Sequence, residues 1–189
     1  VNILEDDALR IGNTAAITVQ SVVSDSTSFE QVEATQSDVV TTNTNGSNGS
    51  IVLRSEAGPL TLTEGTAEDD INPDASVVAH GSGNILLAAE GADTDVIAQA
   101  NADIETTTGH TTLTATRTIA LGAQVDVMTT ASGTLDLNGS SGDLMMAENA
   151  TLNTVDGDIR ITAGDDVLDQ VVIGDIFAAN ADVSIEAAG

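Results

Sequence analysis

The chain has 189 residues and a formal net charge of −26, since 30 acidic residues are set against four arginines and no lysine. A charge of this sign repels nucleic acid and anionic membrane surfaces, so we expect neither as a partner. Cysteine is absent, which excludes disulfides, thiol chemistry and cysteine-ligated zinc. The chain also lacks an apolar run of about 18 residues, so no membrane insertion is predicted.

Two copies of a five-residue phrase, apolar-x-apolar-x-small, stand in the N-terminal third of the chain. Alternation of apolar and polar residues is typical of a strand with one buried face. The copies start at Ile17 and Ile51, 34 residues apart, and a third starts at Ile85, a further 34 residues on. This spacing predicts one repeating unit that carries about ten extra residues, as a loop or as an added short strand.

The stretches between these copies have the composition of loops. Residues 24–50 are dominated by Ser, Thr, Asn and Gly, and we expect a loop with one or two weak strands there. Residues 60–63 predict a further strand, and residues 64–74 predict an acidic loop.

From Ile85 onward the phrase recurs at a nearly constant interval. It begins at Ile85, Thr111, Leu135, Ile159 and Val183, at steps of 26, 24, 24 and 24 residues. A fixed interval of this length marks a repeat protein, and the absence of helical periodicity suits one coil of a parallel β-helix. The sequence therefore predicts an all-β solenoid with about 24 residues per coil and longer coils of about 34 residues toward the N-terminus.

In such a fold, equivalent residues of successive coils form columns, with neighbouring strands about 4.8 Å apart. On the outward side of the phrase, Asp136 and Arg160 should be neighbours on adjacent coils and form an exposed ion pair. The three predicted inward columns are Ile85, Thr111, Leu135, Ile159, Val183; Leu87, Leu113, Leu137, Ile161, Ile185; and the small residues Ala89, Ala115, Gly139, Ala163, Ala187.

The predicted organisation is one continuous solenoid, with N-terminal coils bearing longer loops over residues 1–84 and regular 24-residue coils over residues 85–189. About seven coils are expected in all. Secondary strands drift in register from coil to coil, which predicts one regular face and two less regular ones. Neither end carries an atypical cap, so we expect a segment of a longer polypeptide or a subunit that stacks on other copies.

Three acidic clusters are candidate calcium sites. Calcium takes about six to eight oxygen ligands, which loops rich in carboxylates can supply. The clusters follow neither the EF-hand spacing nor the glycine-rich calcium nonapeptide, so a solvated acidic rim is the plainer explanation, and no cofactor is expected to be required. The candidate Ca²⁺ ligands are Asp69, Asp70, Asp74; Glu90, Asp93, Asp95; and Asp165, Asp166, Asp169.

Catalysis is the alternative that a β-helix raises, since lyases and hydrolases of polysaccharides on this scaffold gather carboxylates with Arg or Lys in one cleft. Here lysine is missing and the arginines are scattered along the chain. His80 and His110 each stand beside a glycine near a strand start, where an exposed turn residue is the ordinary explanation. We therefore expect no enzyme activity.

The phrase at Ile159 carries a resemblance to a known class of proteins. It reads Gly157-Asp158-Ile159-Arg160-Ile161-Thr162-Ala163-Gly164-Asp165-Asp166-Val167, with looser copies at Gly83 and Gly133. It resembles the Gly-Asp-Ile-x-Ile-x-Ala-x-x-Asp-Ile phrases of filamentous-haemagglutinin-like adhesins and giant β-strand-repeat surface proteins. The resemblance covers roughly the C-terminal two thirds of the chain. It implies a right-handed parallel β-helix, export to the bacterial surface, and a role in adhesion, aggregation or matrix formation.

Together these patterns predict a structural and interaction protein, an acidic β-helix segment of a secreted bacterial adhesin or of a self-assembling extracellular filament. The expected location is secreted, extracellular or at the cell surface of a bacterium. Expected partners are other copies end to end, flanking parts of a longer chain, and cell-surface or matrix components. Two alternatives stay open, a polysaccharide-active β-helix enzyme and a calcium-binding surface-layer component.

Overall fold

The computed structural model describes residues 1–42, 49–64, 75–164 and 171–187. Throughout these ranges the regular secondary structure is β, with 21 strands and no helix. Within the same ranges there is accordingly no helix of the length and apolarity that spanning a membrane requires. The strands are β1 Asn2–Glu5, β2 Leu9–Ile11, β3 Ile17–Val22, β4 Ser28–Glu33, β5 Val39–Thr41, β6 Ile51–Ser55, β7 Leu60–Leu62, β8 Ala75–Ala79, β9 Ile85–Ala89, β10 Val96–Ala98, β11 Asp103–Thr106, β12 Thr111–Ala115, β13 Ile119–Leu121, β14 Asp126–Thr129, β15 Leu135–Gly139, β16 Leu144–Met146, β17 Thr151–Thr154, β18 Ile159–Ala163, β19 Val171–Val172, β20 Asp175–Ala178 and β21 Val183–Ala187.

All strands except β3 and β4 belong to three parallel sheets. Sheet 1 has seven strands in the order β1-β6-β9-β12-β15-β18-β21. Sheet 2 has six, in the order β2-β7-β10-β13-β16-β19, and sheet 3 has six, in the order β5-β8-β11-β14-β17-β20. The prediction of an all-β fold is confirmed for the described residues, and the sheets are mostly parallel.

Consecutive strands belong to the three sheets in rotation. From β6 onward the chain passes through one strand of sheet 1, one of sheet 2 and one of sheet 3, and then returns to sheet 1 beside the strand it left. Parallel neighbours need a long connection between them, and here the strands of the other two sheets make up that connection. We call each set of three strands a unit.

Sheet 1 has the predicted register. Ile85 pairs with Thr111, Thr111 with Leu135, Leu135 with Ile159, and Ile159 with Val183. The second and third predicted columns pair in the same way, since every step in this part of the sheet is free of bulges. The even interval of the phrase in the sequence therefore corresponds to in-register stacking of the strands.

The inward side chains of the three sheets pack into one apolar cluster. In sheet 1, Leu87, Leu113 and Leu137 are fully buried, with 0% exposure. Each fully buried leucine side chain contributes roughly 1.5 to 3 kcal/mol relative to an exposed one. The first column contains one polar member, Thr111, whose hydroxyl oxygen is buried and has no hydrogen-bond partner among the described residues.

The N-terminal strands correct the prediction that Ile17 begins the first copy of the phrase. The strand next to β6 in sheet 1 is β1, with Ile3 opposite Leu53. β3 pairs antiparallel with β4 and forms a hairpin, in which Ile17 is 53% exposed. Alternation of apolar residues does not specify the neighbour of a strand, and here the strand that follows in the chain takes up the pairing.

The other N-terminal predictions concern the phrase at Ile51, the composition of residues 24–50 and the acidic loop. Ile51 lies opposite Ile85, so the 34-residue step between these two copies of the phrase is confirmed. The described part of residues 24–50 contains two strands, β4 and β5, in agreement with the one or two strands that the composition indicated. The acidic loop falls largely on residues 65–74, which lie outside the described residues.

A column of glycines precedes the strands of sheet 1. Gly83, Gly109, Gly133 and Gly157 each stand two residues before a strand. A Cβ added at any of the last three would press into the carbonyl group of the glycine one unit earlier in the column, and at Gly83 it would press into that of Gly49. Only glycine lets the backbones of successive units approach this closely.

Threonines at the last position of three strands of sheet 3 donate hydroxyl hydrogen bonds to the carbonyl oxygens of these glycines. Thr41 Oγ1 donates to the carbonyl oxygen of Gly49 at 2.7 Å, and Thr129 Oγ1 donates to that of Gly133 at 2.9 Å. A third threonine, Thr154, donates to the next glycine of the column. The turn from sheet 3 to sheet 1 is thus built from a repeated Thr-to-Gly hydrogen bond.

The turn from sheet 2 to sheet 3 repeats a different device. Asn101, Gln124 and Asn149 occupy equivalent places in three successive units and all have left-handed backbone, with φ of 59°, 61° and 60°. Asparagine tolerates this conformation better than most residues, which fits its presence at two of the three positions.

Candidate interaction surface

Three of the four arginines form ion pairs with carboxylates of a neighbouring unit. Arg160 Nη2 lies 2.6 Å from Asp136 Oδ2, and its Nε lies 2.9 Å from Oδ1, a bidentate geometry. The predicted Asp136–Arg160 pair is therefore confirmed. The three pairs are Arg54–Glu90, Arg117–Asp95 and Arg160–Asp136.

These pairs shift the titration of two carboxylates. The hydrogen bond from Arg117 is the main cause that lowers the pKa of Asp95 below its ordinary value, against an opposing effect of burial. The backbone N–H of Thr118 also donates to Asp95, at 3.1 Å. The hydrogen bond from Arg54 likewise lowers the pKa of Glu90.

The candidate calcium ligands are placed only in part. In the one cluster within the described residues, Glu90 and Asp95 accept hydrogen bonds from Arg54 and Arg117, and Asp93 has left-handed backbone with φ of 57°. The described ranges contain no group of three or more His, Asp or Glu side chains that could hold a metal ion. The other six candidates lie outside the described residues, so the calcium assignment stays a prediction: Asp69, Asp70, Asp74, Asp165, Asp166 and Asp169.

The two histidines differ in their surroundings. His110 is exposed, and its Nδ1 lies 2.9 Å from Thr134 Oγ1 on the next unit, as suits a turn residue. His80 is half-buried. Burial of Glu105, which is 5% exposed, raises the pKa of this carboxyl above its ordinary value, and the opposing effect of the nearby His80 is smaller.

An apolar groove lies on sheet 2. Its floor is a column of outward residues on four successive strands, because Ile97 pairs with Ala120, Ala120 with Met145, and Met145 with Val172. One wall consists of the turn residues that lead from sheet 2 to sheet 3, among them Ala123. The groove has a volume of about 590 Å³.

The lining of this groove is largely apolar. Among the described residues it contains no charged side chain and one polar one, Gln99, although the chain as a whole carries a net charge of −26. Met145 is 41% exposed and Val172 is 45% exposed, so large apolar side chains face solvent there. Methionine side chains adapt to irregular partners, and concave apolar surfaces of this size are typical of binding sites.

Sequence reasoning missed the groove. The secondary strands around Ala120 and Met145 were recognisable from the alternation, so their outward residues could have been assigned to a surface. Their neighbours could not, because the steps between the four floor residues are 23, 25 and 27 residues. Only the strand pairing places them in one column.

Comparison with known proteins does not assign this arrangement to a family. No protein-family model, no curated protein and no solved structure matches the chain.

Proposed function

We propose that the chain is a structural and interaction protein, an acidic segment of a right-handed parallel β-helix that belongs to a secreted bacterial adhesin or extracellular filament. Its partners would be other copies stacked end to end or flanking parts of a longer chain, with cell-surface or matrix components along its sides. Its action would be mechanical, since stacked strands make a rigid rod through main-chain hydrogen bonds and aliphatic columns.

The observation that carries the proposal is the rotation of consecutive strands through three parallel sheets, with sheet 1 in register over all seven of its strands. A chain that returns each time to the strand beside the one it left has the connectivity of a solenoid. The resemblance of the phrase at Ile159 supports the bacterial surface as its location.

The edges of the sheets support assembly through the ends. One end presents β1, β2 and β5, and the other presents β21, β19 and β20, and each of these strands has a sheet partner on one side only among the described residues. Ile185 and Phe177, on two of these strands, are 45% and 54% exposed. Unpaired strand edges that carry apolar side chains are templates for pairing with another chain.

The surface chemistry favours a structural role over the two alternatives. A polysaccharide-active enzyme needs carboxylates and a base gathered in one groove. The apolar groove has no charged side chain among the described residues, and in the smaller hollow lined by Asp136, Asp158 and Arg160 the arginine is paired with Asp136. Of the candidate calcium ligands within the described residues, Glu90 and Asp95 are held by arginines, which disfavours that one cluster as a calcium site.

Negative-stain electron microscopy of the purified chain, with Ca²⁺ and with chelator, tests the proposal. We expect filaments whose width matches a single chain, formed in both conditions. Filaments that appear only with Ca²⁺ would instead favour the calcium-binding alternative. Separate particles under every condition would refute the proposed end-to-end contact.

A matched pair of variants ties any filament to the edge of sheet 1. Ile159 N–H donates to the carbonyl oxygen of Asp182 on the following strand at 2.9 Å, so by register the equivalent amide of Val183 points to the open edge. Val183→Pro removes that donor at the first residue of a strand, where proline is tolerated, and should shorten or abolish the filaments. Ser184→Ala leaves the edge unchanged and should form filaments normally.

A further inference from the structure

The β3–β4 hairpin carries an uncovered apolar face. Cross-strand pairs share a face, and Val19 pairs with Gln31 while Ser21 pairs with Phe29, so Val19 and Phe29 lie on the same side as Ile17. Their exposures are 53% for Ile17, 45% for Val19 and 52% for Phe29.

The opposite face of the hairpin is uncovered as well. It presents Val22 and Val32, which are 68% and 64% exposed. A two-stranded hairpin without a packed face is at best marginally stable in water, and clustered exposed apolar residues mark an interaction site. Among the described residues the hairpin therefore lacks the packing partner that its composition calls for.

The hairpin and the apolar groove occupy equivalent places in different units. The hairpin lies between β2 and β5, so it is the connection from sheet 2 to sheet 3 at the first edge of these sheets. The wall of the groove consists of the same connection in later units, at Ala100, Ala123 and Ala147. The groove extends to Val172 on β19, the strand at the opposite edge of sheet 2.

We propose that the hairpin of one copy of this chain docks in the apolar groove of a second copy. The inference rests on the end-to-end contact proposed above, because that contact sets the first edge of one copy, β2, against the last edge of the other, β19. The hairpin of the first copy then lies beside the Met145 and Val172 end of the groove.

The dimensions of the two surfaces agree. The groove floor spans four neighbouring strands, which is about 14 Å at strand spacing. β3 and β4 have six residues each, so the hairpin is about 20 Å long and can cover the floor. Phe29, one of two aromatic residues in the chain, supplies a large side chain of the kind that anchors interfaces.

The charge distribution makes the groove the surface on which two copies can meet. Two chains with a net charge of −26 repel each other over most of their surfaces. Among the described residues the groove lining has no charged side chain, so contact there buries no carboxylate of these residues. Salt should strengthen the association, because screening weakens the repulsion while the apolar contact persists.

Single-cysteine variants test the contact directly, since the chain has no cysteine of its own. Ser21→Cys, on the same hairpin face as Phe29 and beside it, leaves that anchor in place. Ser21→Cys and Ala120→Cys, made as proteins of different tag length and mixed under mild oxidation, should give a covalent heterodimer. Cysteines more than about 7 Å apart at Cα cannot be bridged, so the yield should exceed by about tenfold that of Ser21→Cys mixed with Thr112→Cys on sheet 1. Equal yields for the two mixtures would overturn the proposal.

Sedimentation velocity of surface variants gives a second readout without oxidation. Met145→Glu in the groove and Phe29→Ser on the hairpin each alter an exposed side chain, so the fold should persist. Each should raise the dissociation constant for self-association by about tenfold or more. Thr112→Glu, an outward control on sheet 1, should not, and an equal effect of all three would reduce the result to general charge and oppose the docking.

A third cysteine pair separates failure of the docking from failure of the end contact. Leu4 and Glu186 occupy the same outward column of sheet 1 at its two edges, so Leu4→Cys and Glu186→Cys should cross-link if copies stack in register. This cross-link without the Ser21–Ala120 one would refute the docking and support the end-to-end contact. Absence of both cross-links would refute both contacts. The docking cross-link alone would support the docking and refute in-register stacking.

Discussion

The strands β3 and β9 begin with the same kind of phrase, yet they have opposite environments. Ile17 of β3 is 53% exposed and belongs to an antiparallel hairpin, whereas Ile85 of β9 is 1% exposed and lies between two parallel neighbours. Alternation makes both segments good strands, but it does not decide which strand each will pair with. The surroundings of the phrase supply that decision.

The residue two positions before the phrase is one such difference. Glycine stands there before β6, β9, β12, β15 and β18, while Ala15 stands there before β3. The last four of these glycines meet the carbonyl group of the preceding glycine in the column so closely that a Cβ does not fit, while at Gly49 a Cβ would lie 3.1 Å from the Thr41 side chain. The signal is imperfect, because Ala181 precedes β21, which pairs in register at the edge of the sheet.

The largest expected effect comes from filling the glycine column. Gly133→Ala places a Cβ against the carbonyl of Gly109, which is backbone and cannot move aside, so we expect the free energy of unfolding to fall by about 3 kcal/mol or more. Urea unfolding followed by circular dichroism measures it. Gly139→Ala is the control, since its Cβ would lie 3.0 Å from the nearest atom and alanine already occupies its column; we expect a change within about 1 kcal/mol. Equal losses would refute the steric account.

The next largest expected effect comes from truncating one side chain in sheet 1, compared with truncating one side chain in the hairpin. Leu137→Ala removes a fully buried side chain between Leu113 and Ile161, and should lower the free energy of unfolding by about 2 to 5 kcal/mol. Val19→Ala on the hairpin should change it by about 0.5 kcal/mol or less in dilute solution. A comparable loss from Val19→Ala would mean that the hairpin is packed within the single chain.

Substitution of valine for two threonines of the stacked region should change the free energy of unfolding in opposite directions. Thr129→Val removes the hydroxyl that donates to Gly133 and leaves a buried carbonyl without that donor, so it should cost about 1 to 2 kcal/mol. Thr111→Val removes a buried hydroxyl with no partner in the described residues and should stabilise by about 1 kcal/mol. The two melting temperatures should move apart, and a shift of both in the same direction would contradict the hydrogen-bond assignments.

The smallest expected effect is that of the ion pair at Asp95 and its dependence on pH. Asp95→Asn should cost about 0.5 to 1 kcal/mol at pH 7. The folded-state pKa of Asp95 lies below its ordinary value of 3.8, so the wild-type advantage is complete above that pH and is lost as the pH falls through the folded pKa. Glu30→Gln on the hairpin is the control, and a pH-independent difference between wild type and Asp95→Asn would contradict the assignment.

Replacing Glu105 by Gln should change stability at pH 7 in the direction opposite to that expected for Asp95→Asn. Burial raises its folded-state pKa above the ordinary value of 4.5, so its ionisation opposes folding at neutral pH. Glu105→Gln should therefore stabilise the protein at pH 7, and the gain should fade as the pH drops through the folded pKa and vanish below 4.5. Stability curves at several pH values, compared between the variant and wild type, measure it; a loss at pH 7 would show that the carboxylate has a favourable partner.

Much of sheet 1 could be predicted because its evidence is periodic. The columns that start at Ile85 and the ion pair between Asp136 and Arg160 follow from a nearly constant step and from the period of two along a strand. The groove could not be predicted, because Ile97, Ala120 and Met145 recur at uneven steps that only the strand pairing aligns. The hairpin was mistaken for a stacked strand because its alternation is the same as that of β9.

The sequence by itself determined which faces of the regular sheet 1 strands are buried and that the sheet 1 strands of residues 85–187 stack in one register, because both follow from local periodicity. The tertiary structure decided which strand lies next to β6, that β3 and β4 pair with each other, and that an apolar groove forms on sheet 2. Those features depend on contacts between residues far apart in the chain, where several partners satisfy the same pattern and packing selects one.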